Sequence, residues 1–140
     1  MSIRVFLLLV VTAVLWGSTS IIEKPALRTT DPLLAVTIRS IFITAILAAI
    51  CTLYGKWTEL FKTSASDTLS FCLSGLMAGL LGMFTYYLAL RAVPASKAVP
   101  IAASYPLVAA VLGAIFLGES LTPVRIIGTL MIIIGVSLVK

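Results

Sequence analysis

Five apolar runs, each about as long as a bilayer is thick, divide this chain: residues 5–26, 33–54, 69–90, 98–117 and 123–139. A helix rises about 1.5 Å per residue, so about 20 apolar residues cross a hydrocarbon core about 30 Å thick. Lipid offers the backbone no water, and a helix satisfies its N–H and C=O groups within itself. The runs therefore predict an all-α fold, an integral membrane bundle of five transmembrane helices, with residues 1–140 as a single transmembrane domain. Composition agrees: 61% of residues are hydrophobic, only 11% are charged, and the mean hydropathy is +1.19, far outside the soluble range.

The longest segment between runs, residues 55–68, is too short for a soluble domain, so the chemistry lies in or beside the bilayer. The first run, behind Arg4, exceeds the apolar part of a signal peptide and is followed by further spans, so it is read as a retained helix. Asp31-Pro32 and Thr122-Pro123 each place a capping side chain before a proline at the first helical position. Leu117-Gly118 predicts a helix stop, which makes the fourth and fifth helices an antiparallel hairpin. Cys51 and Cys72 are read as small buried hydrophobes rather than a disulfide.

Membrane helices associate through small residues and polar contacts, because apolar side chains gain little by leaving lipid for one another. Gly75, Gly79 and Gly82 recur at helical spacing on the third run, and Ala102, Ala109 and Gly113 on the fourth, a pattern that predicts close packing. Thr12, Trp16, Thr19, Ser20 and Glu23 form a polar stripe on the first helix, and Thr37, Ser40 and Thr44 form one on the second. Both are expected to face protein or water. On the fourth run Pro100 and Pro106 each remove an N–H and free a carbonyl one turn back. Membranes tolerate this where protein or cavity water satisfies the carbonyl, so with Lys97, Ser104 and Tyr105 nearby the fourth helix is expected to line a cavity. The competing reading is a kinked packing helix with no ligand.

Five spans place Arg4, Lys56, Lys62 and Arg125 on one face, and Lys24, Arg28, Arg91, Lys97 and Lys140, with Arg39 just inside, on the other. Four against six is a weak bias for the positive-inside rule. Such a chain can insert both ways, and two copies can pair upside down, as the inverted repeats of many transporters do. Arg39, within a span, either snorkels or joins Lys24, Arg91 and Lys97 at a mouth that attracts an anionic group or pairs with Glu23. Glu119 and Arg125 bracket the last turn as an interfacial pair. No carboxylate lies mid-span, and the chain has no histidine, no phosphate-binding glycine loop and no metal-spaced cysteines. Neither an enzyme nor a cofactor is expected, and nucleic acid is not an expected partner.

The stretches "LWGSTSIIEKPAL" (15–27), "DPLLAVTIRS" (31–40) and "YYLALRAVPASKAVPIAASYPLVAAVLGAIFLGESLTPVRIIGTLMIIIGVSLV" (86–139) carry a resemblance to one EamA unit of the drug/metabolite transporter superfamily, in its short five-helix form. The resemblance implies two units, inverted relative to each other, around a central substrate path. Most relatives carry both units in one chain, so here a second copy, as an inverted homodimer, or a paired five-helix partner would supply the other half. By likeness of motif, Trp16, Lys24, Arg39, Tyr86, Lys97, Ser104 and Tyr105 are the candidate substrate-binding residues, and Glu119 resembles the family's structural hairpin acid. The expected function is transport of a small organic solute, such as an amino acid, metabolite or drug, across a bacterial or archaeal inner membrane. The rival is a non-transporting scaffold or an accessory subunit that pairs with another transporter half.

Overall fold

The computed structural model describes residues 2–120 and 122–139, and of Arg125 the backbone alone. The expected Glu119–Arg125 pair and the terminal charge of Lys140 therefore lie outside the described residues. The architecture is all-α: α1 (Ile3–Ala26), α2 (Pro32–Leu53), α3 (Trp57–Lys62), α4 (Ala65–Ser74), a π-helical segment (Gly75–Gly82), α5 (Met83–Ala92), α6 (Ala95–Ala102), α7 (Tyr105–Leu117) and α8 (Pro123–Val139). Among the described residues, four stretches are long and apolar enough to cross a membrane, Ile3–Ala26, Pro32–Leu53, Ala65–Ala92 and Ala95–Leu117. At 17 residues, α8 spans about 26 Å, the short end of what a bilayer requires.

The helix boundaries follow from local chemistry. Asp31 caps α2 as expected, its Oδ1 accepting from the N–H groups of Leu33 at 2.9 Å and Leu34 at 3.4 Å, with Pro32 at the first position. The far end of α2 closes at Gly55, whose φ of 62° suits glycine, while the Lys56 N–H donates to the Cys51 carbonyl at 2.8 Å. Gly118, with φ 64°, ends α7 where the sequence places a stop, and the Glu119 N–H reaches back to Gly113 O at 3.1 Å. The start of α8 at Pro123 matches too, with Ile126 N–H donating to Thr122 O at 3.0 Å.

Three expectations need correction. The loop before the third span contains a short helix, α3, and the span itself starts at Ala65 rather than residue 69. Ser64 sets that start: its Oγ accepts from Asp67 N–H at 3.1 Å and donates to Asp67 Oδ2 at 2.8 Å. The added first turn is polar, so the apolar part still begins where hydropathy places it. Secondly, the middle of this span is a π-helical segment. A Cβ on Gly82 would lie 3.0 Å from the Met77 backbone carbonyl five residues back, whereas Gly75 and Gly79 face open space. Those two glycines therefore have no close neighbour to pack against.

Thirdly, the fourth span is two helices. Pro106 cannot donate to Ala102 O, and its ring clashes with that carbonyl in a continuous helix. The chain instead bends at Ala103 and Ser104, with Ser104 N–H donating to Ile101 O at 3.1 Å and Leu107 N–H to Ser104 O at 3.0 Å. Pro106 then falls in the first turn of α7, where an N–H has no helical partner anyway.

Residue contacts divide the chain into two units, one holding Pro25–Arg91 and the other holding the chain up to Lys24 and from Ala92 onward. In the latter, α8 packs against both α6 and α7, so it runs back along the broken span as a hairpin. Its buried positions include Ser20, Ala98 and Gly113, and those of the other unit include Leu27, Pro32, Val36, Tyr87 and Leu90. Most apolar side chains stay exposed, as acyl chains require. Cys51 and Cys72 are free thiols, and Cys72 is exposed rather than buried.

Candidate functional site

The break in the fourth span positions one group of side chains. Tyr105 opens α7 immediately after the bend, and its ring meets that of Trp16 on α1 edge-on, centroids 6.3 Å apart at 63°. Such pairs contribute about 0.5–1.5 kcal/mol beyond burial. Trp16 is 62% exposed and Tyr105 56% exposed, so each ring keeps an open face. Ser104, half-buried at the bend, donates its hydroxyl to Ile101 O at 2.8 Å. Lys97 lies exposed in the first turn of α6. Two carbonyls of this span, Ser96 O and Ala102 O, have no N–H four residues on, because Pro100 and Pro106 stand there.

Lys24 has a different use. Its Nζ donates to Val93 O at 2.6 Å, which ties the end of α1 to the turn between α5 and α6. A helix C-terminus carries orphan carbonyls and partial negative charge, so an ammonium is well placed there. In the Pro25–Arg91 unit, Arg39 is half-buried, about 10 Å along α2 from its start. Tyr86 is also half-buried, with its ring 6.4 Å from that of Tyr87. The sequence reading missed Tyr87, which is 2% exposed, and the Tyr-Tyr doublet was the available signal. Within the unit that holds α6 and α7, the structure brings Trp16 to Tyr105 and Lys24 to the helix turn, with Lys97 and Ser104 on the broken span.

Four members of the first polar stripe lie on the covered side of α1, with Ser20 buried and Thr12, Thr19 and Glu23 half-buried, whereas Thr37, Ser40 and Thr44 of the second are exposed. Thr12 Oγ1 donates to Leu8 O at 2.9 Å, Thr19 to Trp16 O at 2.7 Å and Thr37 to Leu33 O at 2.8 Å. Each of these hydroxyls donates to a carbonyl of its own helix, as Ser104 does at the bend, and keeps its lone pairs to accept.

A cleft of about 760 Å³ opens between α7 and α8, lined by Ala109, Gly113, Phe116, Gly128, Ile132 and others. None of the seven candidate residues lines it. Its walls are apolar apart from Glu119 and Thr129, and the Glu119 side chain lies 3.5 Å from where a Cβ on Gly113 would be. Gly113 thus makes the room that the returning acid occupies.

A family model for EamA-like transporters matches residues 3–140, all but the first two positions. The chain belongs to the EamA-like transporter family. It is an integral, multi-pass membrane protein of the drug/metabolite transporter superfamily, a family of transporters rather than enzymes. No curated protein and no solved structure matched it at a stringent threshold. Backbone interrupted at membrane depth is tolerated where it borders protein or a wet path.

Proposed function

We propose that this chain is one five-helix half of a permease or exporter for small organic solutes such as amino acids, metabolites or drugs. The other half is an inverted second copy or a paired five-helix partner, in the inner membrane of a bacterium or archaeon. The observation that carries the reading is the proline-broken span Ala95–Leu117, with Trp16 against Tyr105 at the break. Transporters of inverted repeats place substrate at interrupted helices near the midplane, where unpaired backbone polarity meets the solute. Here the interrupted backbone supplies acceptors, Ser104 a hydroxyl, Trp16 and Tyr105 aromatic faces, and Lys97 a cation for an anionic group. Lys24, already engaged with Val93 O, holds the α5–α6 turn in place. Arg39 and Tyr86 are candidates on the family resemblance. The near-even charge of the two membrane faces supports insertion in both orientations.

A thermal-shift screen of the solubilised protein against metabolites selects the solute, since a ligand of the folded state raises its melting temperature. Flux of that solute into liposomes then tests the reading. Lys97→Gln is expected to cut flux about tenfold, equivalent to about 1.4 kcal/mol, at unchanged expression. A stable dimer that binds no solute and passes none supports the scaffold reading instead.

A further inference from the structure

α3 is a helix the apolar runs do not announce, and its side chains sort into two faces. At 100° per residue, Trp57, Leu60 and Phe61 (i, i+3, i+4) share one side, while Thr58, Glu59 and Lys62 share the other. The apolar side is uncovered: Trp57 is 40%, Leu60 53% and Phe61 81% exposed. Its orientation is fixed, because the Trp57 Nε1–H donates to Thr52 Oγ1 at 3.0 Å, and Thr52 Oγ1 in turn donates to Ala48 O at 2.8 Å in the last turns of α2. The Trp57 and Phe61 rings stack at 6.5 Å. Leu53 and Tyr54, at the end of α2, are exposed as well.

Position decides what covers this face. α2 ends at Leu53 and the next span begins at Ala65, so α3 is held between the ends of two membrane-crossing helices and cannot leave the bilayer edge. A short amphipathic helix at that level buries its apolar face at the boundary of headgroups and acyl chains, where aromatic rings are favoured. Charge points the same way. Lys56 and Glu59 pair at 2.7 Å, and across residues 55–68 the two lysines are matched by Glu59 and Asp67. The segment carries no surplus charge with which to prefer anionic lipid.

We infer that α3 is a membrane-interface anchor, whose Trp57–Leu60–Phe61 face beds into the lipid boundary through apolar and aromatic contact rather than through headgroup charge. This goes beyond transport, and its failure would leave the transport reading untouched.

The protein has two tryptophans, so Trp16→Phe leaves Trp57 as the one tryptophan, which red-edge excitation reads apart from the tyrosines. The difference between wild type and Trp57→Phe gives the same signal should Trp16→Phe fold poorly. In zwitterionic vesicles, Trp57 emission is expected to be blue-shifted, quenched more by lipids brominated near the headgroup than by lipids brominated near the bilayer centre, and little affected by iodide. Adding anionic lipid should change none of this. Phe61→Glu should raise iodide quenching severalfold, and Thr58→Glu should not. Strong iodide quenching with no effect of brominated lipid would overturn the inference, as would quenching that is strongest from the bilayer centre or that appears only with anionic lipid.

Discussion

α2 and the span Ala95–Leu117 are nearly the same length and comparably apolar, yet one is a single helix and the other is two. Both contain proline. In α2 the ring sits at the first helical position behind Asp31, where its missing N–H costs nothing. In the fourth span Pro106 stands mid-membrane, and the chain yields two residues of helix at Ala103 and Ser104 to accommodate it. Composition makes both segments spans, whereas the position of one residue within the run decides which of them has an interrupted backbone.

Moving the proline should break that comparison most strongly. Ala45→Pro, in the middle of α2, is expected to cost about 3 kcal/mol or more, because α2 has no built bend to receive it. Pro106→Ala should leave stability nearly unchanged while allowing α6 and α7 to join. Denaturant melts in detergent measure the first effect, and helix dichroism the second.

A smaller effect separates two glycines of the π-helical segment. Gly82→Ala pushes a Cβ to 3.0 Å from Met77 O and is expected to cost about 1–3 kcal/mol as the turn shifts. Gly79→Ala meets nothing and should stabilise by up to about 1 kcal/mol through helix propensity. Opposite signs in paired thermal melts are the expected result, and equal signs would mean the wide turn places no demand at Gly82. Asp31→Ala, which removes the cap of the unbroken helix, should cost about 1 kcal/mol in the same assay.

Much of the fold was legible because hydropathy and caps are local. Asp31-Pro32, Thr122-Pro123 and Gly118 each mark a boundary through their own backbone preferences. Ser64 and Asp67 were equally local, but their capping pair lies outside the apolar run and shifts the third helix by a turn. Pro106 announced an interruption without showing that it divides the helix, since a proline at a given spacing both kinks and terminates helices. The π-helical segment left no readable trace, because Gly75, Gly79 and Gly82 fit an ordinary packing stripe equally well. The contact of Trp16 with Tyr105 and the bond from Lys24 to Val93 O join residues far apart in sequence, which spacing does not encode. The apolar cleft beside Glu119 depends on how α8 folds back on α7, and that too is tertiary.

We propose that the break in the fourth span borders a wet path, whereas the side of α2 turned away from Arg39 does not. With Cys51 and Cys72 replaced by serine, Ser104→Cys and Ile41→Cys, the latter about 200° around α2 from Arg39, place single thiols near the middle of the two spans. A small hydrophilic maleimide applied to the protein in liposomes should label position 104 readily and position 41 hardly at all, and solute should slow the labelling at 104. Equal resistance at both positions, with only a lipid-soluble reagent reaching Ser104→Cys, would contradict the account.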